Sequence, residues 1–545
     1  MEIIDGKLFE KMILGGLHNL HNNVQIVNDL NVFPIPDGDT GENMYSTLKG
    51  GVDELINNTC SSISDKACLL AKGMLLGARG NSGVILSQLF YGLSLGLEGR
   101  EVVSIYDFLS AMEEGVKCAY SSVSSPVEGT ILTVAREAVA GVNKLDIEDV
   151  DDFLGNLLKE MKLSLERTPL LLDVLKEAGV IDSGGAGLLY IVEGFYKSLT
   201  EEVELDKNIG NDKKSIDFSK FDENSVMEFG YCTEALVRLQ RCKCDIDNFN
   251  VDELIDFLNS IGDSVVAFKT GSIVKLHVHT LTPWKVLAHC QEFGEFLTTK
   301  IENMTLQHNE LVKKEEPVIK VKRARRKYAV IVCASGDGII EMFKDISADY
   351  VVKGGQTDNP STDDFIKAFD EVNADYVFVL PNNSNIILAA NQAKEMYKDS
   401  DIRVIQTKNV GEGYSALSML DYSSDDVDVI EDLLRDSYKD VVTGMISKSI
   451  RDVTINDVVI HKDWYMGFTG KTMLASCQDK LDTVKCLLDK MDIKNKSFLI
   501  VVYGVDASLE QRSIFKDFVC ENYDSVELYE IDGKQEVYDF ILIAE

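Results

Sequence analysis

The sequence predicts a multidomain protein with an all-α N-terminal domain, an α+β middle domain and an α/β C-terminal domain in 545 residues. The first domain is predicted from apolar residues that recur at three- and four-residue spacing, which is typical of helices. The middle domain mixes strand and helix signals, and the last alternates apolar strands with amphipathic helices. The predicted domain bounds are 1–200, 225–310 and 328–545.

The net charge excludes several function classes. The chain has 55 Lys and Arg against 90 Asp and Glu, a formal charge of −35. Such an acidic surface repels phosphate backbones and anionic lipids, so we expect no nucleic-acid partner. No apolar run is long enough to span a bilayer, and the N-terminus lacks a secretion signal, so we expect no integral membrane contact. The 11 cysteines are scattered without a disulfide-like rhythm, which predicts a cytoplasmic protein.

The helical domain contains long periodic stretches at 64–95 and 154–166. Glycine-rich segments interrupt the pattern, and a charged segment at 201–224 predicts a linker. A second linker is predicted at 311–327, where the basic run VKRARRK favours a solvated connector over a nucleic-acid patch. These linkers predict that residues 1–200 can be separated from the rest without exposing a core.

The middle domain contains one clearly alternating strand, IVKLHVH at 273–279. The alternation predicts an apolar face opposite a face that carries His277 and His279. The apolar face consists of Val274, Leu276 and Val278.

The C-terminal domain has the rhythm of βαβ units, which predicts a mostly parallel sheet. The predicted strands are 328–334, 376–380, 403–406 and, near the C-terminus, 498–505. The predicted helices are near 338–345, 362–372 and 385–397.

The segment NVFPIPDGDTGENM at 31–44 carries the sharpest chemical signal. Asp37 and Asp39 are carboxylates one residue apart on a loop that prolines and glycines keep out of a helix. Mg²⁺ prefers oxygen ligands and accompanies substrate phosphates, so the loop suits a metal–nucleotide site. A plain surface turn explains Asp-Gly equally well, and the residues alone leave both interpretations open.

Two glycine-rich segments, GARGNSG at 77–83 and DSGGAG at 182–187, lie between helical stretches. Each suits a helix N-terminus that holds phosphate, and each also suits close helix packing. GFTGKT at 467–472 lacks the four residues that a Walker A loop has between its glycines, so we predict a turn there.

Cys232, His277 and His279 provide one thiolate and two imidazoles, a donor set suited to Zn²⁺. The residues alone favour two ordinary strand histidines and an unrelated cysteine, because Cys232 is distant in sequence. The Cys242 and Cys244 thiols are a weaker alternative.

Small polar residues follow the predicted C-terminal strands, at the edge where parallel sheets bind ligands. They can bind an anionic group or a partner, or Ser361 and Ser384 can simply cap the following helices. The cluster consists of Ser335-Gly336-Asp337, Gly354-Gly355-Gln356-Thr357 and Pro381-Asn382-Asn383-Ser384-Asn385.

Four segments resemble the nucleotide-binding subunit of dihydroxyacetone kinases: NVFPIPDGDTGENM at 31–44, GARGNSGVILSQLF at 77–90, PVEGT at 126–130 and GVIDSGGAGL at 179–188. Over its whole length the chain more closely resembles the kinase subunit of bacterial fatty acid kinase. The resemblance implies an antiparallel helical barrel that binds ATP through two Mg²⁺ ions on Asp37 and Asp39, the catalytic acids. Asn31 stands where dihydroxyacetone kinases place a third aspartate, and Glu42 where a threonine is commoner. The implied ATP-binding residues are Asn31, Thr40, Gly41, Asn43, Met44, Gly80, Asn81, Ser82, Gly83, Thr130, Asp182 and Gly184.

The same resemblance implies a Zn²⁺ ion on Cys232, His277 and His279, a C-terminal region similar to the DegV-type fatty-acid-binding fold, and a homodimer. The implied activity is ATP-dependent phosphorylation of a fatty acid held by a separate fatty-acid-binding protein, giving acyl phosphate for phospholipid synthesis. Arg79 and Arg136 are the candidate cations for this transfer. The alternatives are a dihydroxyacetone-type kinase acting on a small polyol, and a non-catalytic lipid-binding scaffold.

Overall fold

The computed structural model describes most of the chain as two compact units. The described residues are 3–31, 38–58, 60–147, 149–200, 231–246, 249–270, 272–303, 325–356, 358–422, 424 and 426–545. One unit comprises 1–205 with 322–545, and the other comprises 206–321. The predicted linker at 201–224 and most of that at 311–327 lie outside the described residues.

The N-terminal region is helical, as predicted, and two short strands, β1 (Ile3–Asp5) and β2 (Val102–Ser104), pair antiparallel beside the helices. The periodic stretches correspond to α3, α4 and α7 below. The described helices are α1 (Gly6–Asp29), α2 (Thr40–Asn57), α3 (Ile63–Gly77), α4 (Gly80–Gly96), α5 (Ile105–Ser121), α6 (Ile131–Val142), α7 (Val150–Leu171), α8 (Asp173–Ala178) and α9 (Ser183–Thr200).

The second unit contains a four-stranded antiparallel sheet and two helices. Its elements are β3 (Tyr231–Leu239), α10 (Val251–Ile261), β4 (Asp263–Thr270), β5 (Ile273–Thr280), α11 (Pro283–Phe293) and β6 (Gly294–Asn303), with strand order β4-β5-β3-β6. Val274, Leu276 and Val278 are all buried, which confirms the apolar face predicted from the alternation.

The C-terminal region of the first unit contains two main sheets. Its strands are β7 (Arg326–Ala334), β8 (Tyr350–Lys353), β9 (Ala374–Leu380), β10 (Asp401–Val404), β11 (Val442–Lys448), β12 (Val453–Ile455), β13 (Val458–Ile460), β14 (Tyr465–Thr469), β15 (Thr472–Cys477), β16 (Phe498–Tyr503), β17 (Glu527–Asp532) and β18 (Phe540–Ala544). Its helices are α12 (Asp337–Asp345), α13 (Thr362–Val372), α14 (Ile387–Met396), α15 (Val410–Ser418), α16 (Val427–Ser437), α17 (Lys480–Lys490) and α18 (Leu509–Asn522).

The first of these sheets is parallel throughout, in the order β10-β9-β7-β8, as predicted. The second has the order β15-β14-β11-β18-β16-β17 and is antiparallel except between β16 and β17. For this sheet the prediction of a mostly parallel arrangement is wrong. Hairpins such as β14–β15 need only a tight turn, which is why this sheet carries fewer crossover helices than the first.

The end of the predicted basic linker belongs to the C-terminal fold. β7 begins at Arg326, two residues earlier than predicted, and Arg326 forms an ion pair of 2.7 Å with Asp349. Arg325 likewise contacts Asp375 at 2.6 Å. These cations are therefore matched by local carboxylates, which allows the strand to extend into the basic run.

The helical and C-terminal regions share a hydrophobic core. Ala78 and Val84, at 0% and 2% exposure, belong to one buried cluster with Phe365 and Ala389 of the C-terminal region. Gln392, also buried, donates a hydrogen bond of 2.7 Å to the carbonyl of Leu75. The prediction that residues 1–200 can be separated without exposing a core is therefore wrong. No described helix is long and apolar enough to cross a membrane.

Candidate functional site

A cavity of about 540 Å³ lies in the first unit and is lined by both the helical and the C-terminal regions. From the helical region, the predicted residues that line it are Asn31, Asp39, Thr40, Asn43, Asn81, Ser82, Asp182 and Gly184. From the C-terminal region, the lining members of the predicted polar cluster are Ser335, Gly354, Gly355, Gln356, Pro381, Asn382, Asn383, Ser384 and Asn385. Two sites that were predicted separately thus line one cavity.

Four described helices of the N-terminal region, α2, α4, α6 and α9, begin at this cavity. The N-cap residues of α2, α4 and α6 are Asp39, Arg79 and Thr130, and none of their side chains caps its helix. In contrast, side chains of Asp5, Ser62, Ser104 and Asp149 cap α1, α3, α5 and α7. Asn28 and Asp182 each accept one N–H group at the starts of α2 and α6. Among the described residues, no side chain accepts a hydrogen bond from the first N–H groups of α4. These N–H groups, together with the helix dipole, could therefore bind a phosphate group.

Two glycines at the start of α4 allow close packing, which is one of the two roles predicted for this segment. Gly80 has a φ of +57°, and a Cβ atom there would lie 2.6 Å from the amide nitrogen of Asn43. Gly80 therefore allows this cavity-lining amide to lie against the backbone. A Cβ on Gly83 would lie 2.3 Å from the Thr47 hydroxyl oxygen, so Gly83 serves the packing of α4 on α2.

Side chains that line the cavity carry oxygen atoms of the kind that a hard cation prefers. The Asp39 carboxylate accepts a hydrogen bond from the Asn359 side-chain amide. The Oδ1 atom of Asn81 is buried and has no hydrogen-bond partner within the described residues, while Asn81 Nδ2 donates to Asn385 at 3.2 Å. Asp37 lies outside the described residues. Within the described residues, no group of three His, Cys, Asp or Glu side chains is placed to share a metal ion.

Asp182 lies at the edge of the cavity, just before α9. Burial raises the pKa of its carboxyl group to about 6, although hydrogen bonds from the backbone N–H groups of Gly185 and Ile131 act in the opposite direction. The bond from Gly185 is 2.6 Å long. The carboxylate thereby caps α9 and ties its start to the start of α6.

The two cations predicted for the transfer, Arg79 and Arg136, contact other protein groups. Arg136 contacts Glu128 at 2.9 Å, and Arg79 donates a hydrogen bond of 3.0 Å to the carbonyl of Asn359. Neither lines the cavity, whereas Lys408 and Lys471 do. Lys408 follows β10, so the rule that ligands bind beyond the carboxyl ends of parallel strands could have identified it. Lys471 lies in the GFTGKT turn between β14 and β15, where a turn was predicted.

The inner wall of the cavity in the C-terminal region is apolar. It includes Ile339, Met445, Phe468 and Ile541, all of which are buried in the core of that region. The cavity therefore has a polar side at the helix starts and strand ends, and an apolar side that suits the hydrocarbon part of an amphiphile.

The other predicted ATP-binding residues lie beside the cavity without lining it. These residues are Gly41, Met44, Gly80, Gly83 and Thr130. Met44 is fully buried, which indicates packing. Ser361 caps α13, as predicted, whereas Ser384 does not cap α14, because that helix begins after Ile386.

The predicted zinc residues lie in the second unit. The antiparallel pairing of β3 with β5 places Cys232 of β3 opposite His279 of β5. His277 also lies on β5, two residues before His279. Their side chains are outside the described part of the structure. The zinc assignment therefore stays a prediction.

Three protein families match consecutive parts of the chain. The DAK2 domain family matches residues 34–197, the middle domain of FakA-like fatty acid kinase subunits matches 228–311, and the C-terminal domain of the same FakA-like subunits matches 329–545. Among solved structures, DegV, a fatty acid binding protein from Bacillus subtilis, is 12% identical at a TM-score of 0.31. The match covers 40% of this chain and 99% of that one.

Full-length relatives are similar along the whole chain. An uncharacterized protein of Staphylococcus saprophyticus is 39% identical over 553 residues, covering 99% of both chains. Protein YloV of Bacillus subtilis is 39% identical over 556 residues, and an uncharacterized protein of Staphylococcus aureus is 38% identical over 549, again with 99% of each chain covered. With the three family matches in order, this chain belongs to the FakA-like family of fatty acid kinase subunits.

Proposed function

We propose that the protein is an ATP-dependent kinase that phosphorylates the carboxylate of a fatty acid presented by a separate fatty-acid-binding protein. The product is an acyl phosphate, a precursor for phospholipid synthesis. The family matches support a kinase. The observation that carries the proposal is that Asp39, the start of α4 and the C-terminal strand ends line one cavity with an apolar inner wall. Such a cavity could hold the phosphates of a nucleotide at its polar side and the hydrocarbon chain of a fatty acid at its apolar side.

The transfer requires little acid–base chemistry from the protein. A fatty acid is already ionised at neutral pH, and one carboxylate oxygen attacks the γ-phosphorus of ATP. The bond from that phosphorus to the β–γ bridging oxygen breaks, and its electron pair leaves with ADP. Catalysis then depends on positioning and on neutralising the charge of the phosphates. The start of α4 offers N–H groups to the phosphates, and Lys408 and Lys471 line the cavity together with Glu412 and Glu536.

The cavity lining fits magnesium because it carries oxygen donors. These include the Asp39 carboxylate and the buried amide oxygen Asn81 Oδ1, which has no partner in the described part of the chain. We infer that Asp39, together with Asp37, would hold the ion and that Thr40 and Ser82 would contact the phosphates. Bound Mg²⁺ would neutralise phosphate charge and bring the phosphates into line.

The test is ADP release with two sets of substrates and with one variant of the site. We expect turnover with fatty acid plus a fatty-acid-binding protein, little with dihydroxyacetone or another small polyol, and none when Asp39→Ala replaces the wild type. Asp146→Ala is the matched control, because Asp146 is exposed and does not line the cavity. Turnover with the polyol alone would support the alternative kinase, and no turnover with any acceptor would support a lipid-binding scaffold.

We also propose that the second unit binds one Zn²⁺ ion through Cys232, His277 and His279. The register of β3 with β5 supports this, since it pairs Cys232 with His279. Elemental analysis should find about one zinc per chain, since three such ligands suffice for stable binding. Cys232→Ser with His277→Ala should lose the metal, and Cys242→Ser with Cys244→Ser should keep it. The reverse result would assign the zinc to the Cys242–Cys244 pair.

A further inference from the structure

The loop between β8 and α13 reaches from the C-terminal region to the acidic residue at the start of α2. In this loop the amide of Asn359 donates a hydrogen bond to the Asp39 carboxylate, 320 positions away in sequence. Asn359 is only 2% exposed. A buried polar side chain is costly unless its hydrogen bonds are made, and the bond to Asp39 satisfies the Asn359 amide nitrogen.

The backbone of Asn359 is held from both sides. Its carbonyl accepts a hydrogen bond of 3.0 Å from Arg79, the residue before α4. Two residues on, Ser361 forms an antiparallel bridge with Arg79 and caps α13 with a reciprocal bond to Asp364. The N–H of Thr362 donates to the carbonyl of Ala78 at 3.2 Å. These bonds fix the position from which the Asn359 side chain reaches Asp39.

The chemistry of an amide suits a carboxylate that must still bind a cation. A lysine or arginine in this place would neutralise Asp39, whereas asparagine orients the carboxylate and leaves its negative charge intact. The other side-chain atom, Asn359 Oδ1, is buried and has no hydrogen-bond partner in the parts of the chain that the structure describes. An unpaired buried acceptor destabilises the fold, and a donor such as a water ligand of a bound ion would satisfy it.

A second C-terminal residue holds the other end of the same segment. Arg451, which follows β11, donates through its guanidinium to the carbonyl of Asn31. Asn31 and Asp39 therefore each receive a hydrogen bond from the C-terminal region, at the two ends of residues 31–39.

We propose that Asn359 is a positioning residue that orients the Asp39 carboxylate for the Mg²⁺ ion of the nucleotide site from the C-terminal region. This inference rests on the proposed function. It implies that the helical region does not form the complete metal–nucleotide site by itself.

The experiment measures nucleotide binding to the full chain by calorimetry over a range of Mg²⁺ concentrations, with a non-hydrolysable ATP analogue. For Asn359→Ala we expect the half-saturating Mg²⁺ concentration to rise by about 10-fold or more, as is usual when a partner of a metal ligand is removed. Nucleotide affinity without Mg²⁺ should change little. If the alanine variant does not fold, Asn359→Ser, which keeps a hydroxyl for local hydrogen bonds, gives the same comparison.

The matched control is Gln392→Leu. Gln392 crosses the same contact between the two regions but does not line the cavity. This variant should lower the melting temperature and leave the Mg²⁺ dependence unchanged. An unchanged Mg²⁺ dependence in Asn359→Ala would overturn the inference, and so would tighter Mg²⁺ binding, which would mean that Asn359 competes with the ion. If the wild type shows no Mg²⁺-dependent nucleotide binding, the proposed function itself fails.

Discussion

At the scale of single residues, the sequence predicted the polar lining of the site well and its charges poorly. Asp39, Asn81 and Ser82 could be identified because local motifs mark the starts of helices. Asn359 could not, since its role depends on a contact between residues far apart in sequence. Arg79 was predicted as a cation for the phosphates, but its guanidinium donates to the Asn359 carbonyl instead. Local patterns do not contain such long-range pairings.

Asp182 gives a prediction at this scale, because burial raises the pKa of its carboxyl group to about 6, above its ordinary value of 3.8. An acid whose pKa is raised on folding favours the folded state when it is protonated. This stabilisation is complete below the unfolded pKa and is lost as the pH rises through the folded pKa. Ionised Asp182 should therefore destabilise the fold above pH 6.

Asp182→Asn keeps an oxygen that can accept the Gly185 N–H bond and removes the charge. We expect it to increase the free energy of unfolding by about 1–2 kcal/mol at pH 8, with a smaller gain at pH 5. Denaturant unfolding at both pH values measures this, and Asp146→Asn, an exposed site, serves as the control. An equal gain at both pH values would mean that burial of the charge is not the cause.

At the scale of elements, helices and parallel strands could be predicted because their patterns are local. Periodic apolar residues identified α3, α4 and α7, and the βαβ rhythm identified β7, β9 and β10 with the helices between them. The antiparallel second sheet could not be predicted in the same way. Its strands β11 and β18 pair across almost 100 residues, and strand order over such distances is not encoded in the pattern of either strand.

The starts of the helices explain why the glycine-rich segment before α4 suggested a phosphate site. When the N-cap residue is serine or aspartate, its side chain usually accepts a hydrogen bond from one of the first N–H groups of the helix, as Ser62 does for α3 and Ser104 for α5. A helix that begins with glycine and lacks a side-chain cap leaves these groups for another acceptor, as α4 does at the cavity. The uncapped start of α4 therefore indicates a site for an anion.

At the scale of the whole molecule, the acidic chain must bind a highly charged anion. With a formal charge of −35, its long-range field disfavours ATP, so local positive potential has to come from a bound cation, helix N-termini and cavity lysines. The lysines belong to the C-terminal region, and the α4 start belongs to the helical region. We therefore expect nucleotide binding to require both regions together.

This expectation leads to a prediction for a fragment of residues 1–200. Without the C-terminal region, Ala78 and Val84 become exposed, and Asp39 loses its bond from Asn359. We expect the fragment to melt at a lower temperature than the full chain and to bind a Mg²⁺–nucleotide complex at least about 10-fold more weakly. Circular dichroism and calorimetry measure these two quantities. Aggregation through the exposed apolar surface is a competing explanation, and a fragment that also carries Ala78→Ser and Val84→Lys tests it. Should this more soluble fragment bind as tightly as the full chain, the C-terminal region contributes only solubility, and a composite nucleotide site has to be rejected.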